Sequence, residues 1–115
     1  MTPSAYTPDR GDLVWTDFDP TRGREQAGRR PALVVSPAPF TRNTGLAIVC
    51  PITSRVRPFP TSVVLPSRLP IAGEILTSHI RRIDTQARPI RYAGAAISDD
   101  IARLVRAKLD TFITI

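Results

Sequence analysis

Proline occupies twelve of the 115 positions and is spread over the whole chain. It lacks a backbone N–H and fixes φ, so it is excluded from helix interiors and from central strands. The chain is therefore cut into short segments, and most of them carry strand patterns. In "DLVWTDFD" (12–19), Leu13, Trp15 and Asp17 alternate with Val14, Thr16 and Phe18, the period of a strand. "PALVVS" (31–36) is a continuous apolar run, which suits a buried strand. "LAIVCPI" (46–52) reads as a strand stopped by Pro51, and "TSVVLP" (61–66) as another. "EILTSHIRRID" (74–84) holds one or two strands, and "IRYAGAAI" (90–97) a weaker one. The intervening "PAPFTRNTG" (37–45) reads as a turn, "TSRVRPFP" (53–60) as a basic loop and "SRLPIAG" (67–73) as a connector.

The period changes at the end of the chain. In "SDDIARLVRAKLDTFI" (98–113), Ile101, Leu104, Val105, Lys108, Leu109 and Phe112 recur at helical spacing. Ser98 is a good N-cap, and Asp99 and Asp100 fall where acids complement the helix dipole. The expected fold class is mainly β (α+β): five to seven short strands closing into a small barrel, with one C-terminal helix. A chain of this length fits one domain, and no repeat or linker divides it.

Several function classes are excluded early. No stretch approaches the ~18–20 apolar residues of a membrane-spanning helix. The start of the chain lacks the basic-then-apolar layout of a signal peptide, so a cytoplasmic location is expected. Cys50 is the single cysteine and lies in an apolar run, a buried small side chain by expectation. There is no GxGxxG, Walker, HExxH or CxxC motif, and His79 is the only histidine. No cofactor and no metal are expected. The net charge is +6, with fifteen arginines and Lys108 as the sole lysine. Such a balance favours a polyanionic partner, and guanidinium groups pair with phosphate and stack on bases; base composition of the coding sequence is a second source of arginine excess.

The charges gather in one telling place. "GREQAGRRPALVVSP" (23–37) sets Arg24, Glu25, Arg29 and Arg30 at the mouth of the apolar strand. They either solvate a loop rim or hold something anionic. Catalysis here has only Arg, Glu, Thr, Ser and one His to run on, and that set suits RNA cleavage, where the 2′-OH is the nucleophile. Glu25 or His79 can move protons, Arg30 can hold a phosphate bidentately, and Thr53 and Ser54 can donate to phosphoryl oxygens.

The motifs then become specific. "GDLVWTDFDPTRGREQAGRRPALVVSP" (11–37) closely resembles the opening signature of the MazF/PemK family of toxin endoribonucleases. "CPITS" (50–54) resembles the family's second block and "GEILTSHIRRID" (73–84) its third, and the likeness extends over nearly all of 9–113. The resemblance implies a single toxin domain over 1–115, with an N-terminal tail at 1–8 and a C-terminal helix at 98–113. It implies the SH3-like, PemK/CcdB-like barrel and a homodimer. It also implies metal-independent cleavage of single-stranded RNA to a 2′,3′-cyclic phosphate and a 5′-OH. The implied inhibitor is a cognate antitoxin that lays an extended acidic segment across the RNA groove.

By the same resemblance, Arg30 matches the catalytic or phosphate-stabilising arginine, Thr53 the active-site threonine and Glu25 the loop glutamate. Gln26 matches a neighbouring glutamine that positions substrate or shapes the loop. The third block departs from the pattern: Ser78 replaces the acid assigned as general base in one branch, and His79 replaces a glutamine. Arg24 stands where some members carry histidine. Ser54, Ser78 and His79 are therefore further candidates for catalysis or RNA contact. Arg24, Arg29, Arg55, Arg57, Arg81 and Arg82 are candidates for the RNA backbone, with a solvated basic face as the alternative. Two other functions share this barrel: a catalytically weakened RNA-binding homologue, and a gyrase-binding poison. The gyrase-binding branch lacks the G-x-E-Q-x-G-x-R-P loop that is present here.

Overall fold

The computed structural model describes residues 6–18 and 29–113. Its strands are β1 (Asp12–Asp17), β2 (Arg29–Val34), β3 (Leu46–Thr53), β4 (Ser62–Val64), β5 (Glu74–Leu76), β6 (Arg81–Asp84) and β7 (Ile90–Ala96). Helix α1 (Ala38–Thr44) follows β2, and α2 (Asp99–Asp110) closes the chain. The strands make one antiparallel sheet in the order β4-β5-β3-β2-β1-β7, with β6 also paired to β3. This is the expected α+β class, with seven short strands and a terminal helix.

Both faces of the sheet are covered, which explains the unbroken apolar run in β2. Leu13, Leu33, Cys50, Ile52 and Ile75 cluster on one face with Val105 of α2. Val14, Ala32, Val34, Ala47, Val49 and Ile83 cluster on the other, against Tyr6, Phe18 and Ile90. Cys50 is fully buried, and burial pushes its thiol up to about 12, so it stays protonated and inert. In α2, the Ser98 hydroxyl accepts the Ile101 N–H as expected of an N-cap. The helix ends at Asp110, and residues 111–113 form a turn.

Two expectations about local structure are corrected. Residues 37–45 are not a turn but contain α1. Pro37 is the extended N-cap and Pro39 lies in the first turn, where a helix needs no N–H from it. Gly45 closes the helix in the left-handed conformation at φ 76°. Asp9 accepts the Ala38 N–H across the chain and completes the cap.

The second correction concerns Pro51, which does not stop β3. The Val35 N–H donates to Ile48 O, so the N–H groups of residues 48, 50 and 52 face β2 and that of position 51 faces the other edge. On that edge β6 pairing ends at Val49 and β5 pairing begins at Ile52. Pro51 thus sits where no partner calls for a donor.

Of the expected tail, Tyr6 to Pro8 are packed. Tyr6 stacks at 5.4 Å on Tyr92 and donates a hydrogen bond to Asp12, and Pro8 is fully buried. Residues 1–5 lie outside the described residues.

Candidate active site

The pairing register assembles the site. β1 sets Thr16 opposite Arg30, and β3 sets Thr53 opposite Glu74. Between them, β2 and β3 pair Ala32 with Pro51. The pairing ends there; continued two residues, its register points Arg30 and Thr53 toward each other on the same face. Directly opposed residues share a face, so Thr16, Arg30, Thr53 and Glu74 form one row across four strands. Thr16 is buried and donates to Pro89 O at 3.3 Å, making the floor beside Arg30. Arg30 is exposed and Thr53 half-buried. The Thr53 Oγ1 accepts the Arg55 N–H at 3.1 Å, which leaves its own hydrogen to donate outward.

Gly73 fixes where Thr53 lies. It holds φ 135°, and a Cβ there would stand 2.2 Å from the Thr53 carbonyl oxygen. Only a glycine lets the chain entering β5 come this close to the end of β3.

The remaining arginines separate by register. Arg81 pairs with Val49 and shares the face of Arg30 and Thr53, while Arg82 pairs with Ile48 and takes the opposite face. Arg29 pairs with Asp17, also on the face opposite Arg30. The Arg81 guanidinium lies 4.9 Å from the Phe18 ring centroid, and Arg88 donates to Phe18 O at 3.1 Å. Together they hold the last described residue before the 19–28 segment. Arg24, Glu25 and Gln26 lie in that segment, outside the described residues.

Ser78 and His79 are exposed on the 3-10 turn Thr77–His79, which runs from β5 toward β6 alongside the Cys50–Pro51 stretch of β3. Ser54, Arg55 and Arg57 are exposed on the segment leaving β3. Among the described residues no three His, Cys, Asp or Glu side chains gather to hold a metal, and no helix is long and apolar enough to cross a membrane.

Glu74 was not singled out by its sequence, and the structure makes it prominent. It is buried, 1% exposed, at the head of β5. Its carboxylate accepts the Arg57 N–H at 2.8 Å, the Phe59 N–H at 3.2 Å and the Ser62 hydroxyl. The Ser62 hydroxyl, then the two N–H groups, hold its carboxyl below the usual glutamate range against the opposing effect of burial. With its oxygens occupied and its basicity lowered, Glu74 is unsuited to be a general base despite standing opposite Thr53. A depressed carboxyl contributes stability above its unfolded pKa, and that contribution is lost as pH falls through the folded value. The Glu74 contribution is therefore complete above about pH 4.5 and disappears below it. Melting curves from neutral to acid pH are expected to lose this acid limb in Glu74→Gln. An unchanged limb would mean that other carboxylates set the acid sensitivity.

An apolar groove lies elsewhere. It is about 970 Å³, mainly apolar, and runs between α2 and the Val34–Ser36 end of β2, lined by Phe40, Ile48, Ile97 and Leu109 among others. Its rim also carries Arg10, Arg103, Arg106, Asp99 and Asp110, charges that belong to α2 and to the turn before β1 and not to the Arg30–Thr53 row.

The decisive comparison is with the family model described as PemK-like, MazF-like toxin of type II toxin-antitoxin system, which matches residues 9–113. The chain belongs to this family. It is 39% identical over 110 residues to the endoribonuclease toxin MazF of Escherichia coli (strain K12), covering 96% of this chain and 97% of that one. The crystal structure of MazF (Form-I) from Deinococcus radiodurans superposes with a TM-score of 0.81 at 44% identity, over 92% of this chain and 96% of that one. A MazE-MazF crystal structure (Form-III) from the same organism gives 0.83 at 42%, over 92% and 95%. The matched span includes the strands that build the row, the one entered through Arg30–Pro31 and the one ending at Thr53.

Proposed function

We propose that this chain is the toxin of a type II toxin–antitoxin system and a metal-independent endoribonuclease acting on single-stranded RNA in the cytoplasm. The observation that carries this reading is the placement of Arg30 and Thr53 on one face of the neighbouring strands β2 and β3, in a family whose curated relatives are named endoribonucleases. The RNA supplies the nucleophile. Its 2′-oxygen bonds to phosphorus, the bond from phosphorus to the 5′-oxygen breaks, and the products are a 2′,3′-cyclic phosphate and a 5′-OH. Arg30 pairs with the non-bridging oxygens as charge builds on them, and the Thr53 hydroxyl donates to the same group. Glu25, matched by sequence alone, and His79 are assigned to take the 2′-OH proton and to protonate the leaving oxygen. Arg55, Arg57 and Arg81 hold the flanking backbone.

An RNA carrying one 2′-deoxynucleotide at the cut position tests this chemistry. It is expected to resist cleavage at that position while neighbouring sites are still cut. Equal cleavage of both substrates would point to an external nucleophile.

The solved relatives include MazE-MazF complexes. By analogy, a cognate antitoxin places an acidic extended segment on the basic face and blocks RNA. The assembly is a homodimer on this reading, which is supported by Leu104, Phe112 and Ile113 standing 50%, 40% and 49% exposed beside the apolar groove. Sedimentation should give twice the 12.6 kDa of the chain; a monomer mass at micromolar concentration would contradict it.

A further inference from the structure

Residues 54–60 are all exposed, so no packed core holds this segment in shape. It is held by hydrogen bonds to its backbone instead. The Arg55 N–H goes to Thr53 Oγ1, and the N–H groups of Arg57 and Phe59 go to the two oxygens of Glu74. Lys108 of α2 donates to Pro60 O at 2.6 Å, and the Ser62 N–H donates to Phe59 O at 3.0 Å. Glu74 is the only charged side chain in the buried core of the described residues. A carboxylate taken out of water is costly unless its oxygens are matched, and here the matching groups come from the loop and from Ser62.

The side chains on this tethered segment have a consistent chemistry. Arg55 and Arg57 are exposed cations, and Phe59 is 59% exposed. Cations spaced along an exposed segment, with an exposed aromatic ring two residues further on, are what single-stranded nucleic acid binds: backbone to the charges, a base to the ring. The segment starts at Thr53, and its tether Glu74 stands opposite Thr53 in the sheet.

We propose that Glu74 is a positioning residue for RNA recognition: it holds residues 54–60 as a fixed rail in register with Thr53, so that Arg55 and Arg57 take phosphates and Phe59 stacks on a base next to the cut. This rests on the RNA-cleaving reading above and adds to it the element that selects the cut sequence. Glu74 never touches the substrate; it acts through the backbone of the rail.

The test uses Glu74→Gln, which keeps the size of the side chain but replaces an acceptor oxygen with an NH₂ group facing the same donors. Steady-state kinetics on a short single-site RNA are paired with cut mapping on a long RNA. Amide hydrogen exchange at Arg57 and Phe59 is followed in the same protein. The expected result is a KM raised about tenfold, the loss of one stacking or phosphate contact, with kcat within about threefold. New cuts at sites the parent ignores should accompany faster exchange at both amides.

Faster exchange with unchanged KM and cut map would overturn the proposal, as would a fall in kcat at constant KM. Should Glu74→Gln fail to fold, Arg57→Ala with Phe59→Ala removes only exposed side chains. The same rise in KM is expected there, and an unchanged KM overturns the role of the rail. A parent that cuts no RNA ends the nuclease reading as well; a cutting parent with indifferent variants ends only this proposal.

Discussion

Arg30→Ala is expected to lower kcat for RNA cleavage by about 10²–10³-fold, with a smaller change in KM. Arg30 is the exposed cation at the entry of β2, opposite Thr16 on one side and level with Thr53 on the other. Because the following strand residues, Ala32 to Val34, are fully buried, the backbone from which the Arg30 guanidinium projects is fixed. Because the charge it meets develops chiefly in the transition state, its loss should fall on kcat. Arg30→Lys keeps the charge but not the planar fork and should recover only part of the rate. Since the side chain is exposed, the fold should survive both changes. A variant that melts like the parent and cuts at the parent rate would remove Arg30 from the mechanism.

Gly73→Ala is expected to have the largest effect on the fold. The added Cβ would meet the Thr53 carbonyl oxygen at 2.2 Å and the carbonyl carbon at 2.9 Å, both backbone atoms that cannot rotate away. The positive φ of 135° adds a conformational penalty. Strain and overpacking together should cost about 3–5 kcal/mol, a large part of the stability of a small domain. Thermal melting should fall by about 10–20 °C. Whatever fraction folds must move β3 away from β5 at Thr53, so activity per folded molecule should drop as well. Gly45→Ala is the matched control: φ is 76°, but nothing lies within 4 Å of the added Cβ. It should cost about 1 kcal/mol and leave kcat alone. Equal melting temperatures for the two variants would mean that the β3–β5 approach is looser than the geometry implies.

What could be read from the sequence follows physical lines. The alternation of β1, the apolar run of β2 and the helical period of α2 are local patterns that located each element, but β2 begins at Arg29, ahead of the apolar run at 31–36, and ends at Val34, two residues before that run does. Helix α1 was hidden by Pro37 and Pro39, which read as breakers although the first turn of a helix accepts proline. The continuation of β3 through Pro51 was not legible, because it depends on which edge the missing N–H faces and where the neighbouring strands stop.

The same distinction holds at the site. Arg30 and Thr53 stood out through their motif context, but their adjacency is a matter of strand register, which no local pattern contains. The adjacent arginines Arg81 and Arg82 look alike in sequence and lie on opposite faces of β6. Glu74 left almost no signal: it is a lone acid before "IL", and its importance comes from donors 12–17 positions away.

The central claim is that this protein cuts single-stranded RNA without a metal at a row built on Arg30 and Thr53. The most direct measurement incubates the purified, antitoxin-free protein with a long single-stranded RNA in excess EDTA and maps the new ends by primer extension. Arg30→Ala is run beside it. Cuts at one recurring short sequence, absent in the variant, are the expected result. No cuts by a folded parent on varied RNAs would contradict the claim, placing the departures at Ser78 and His79 among the reasons, and cuts that persist in Arg30→Ala would locate the chemistry elsewhere.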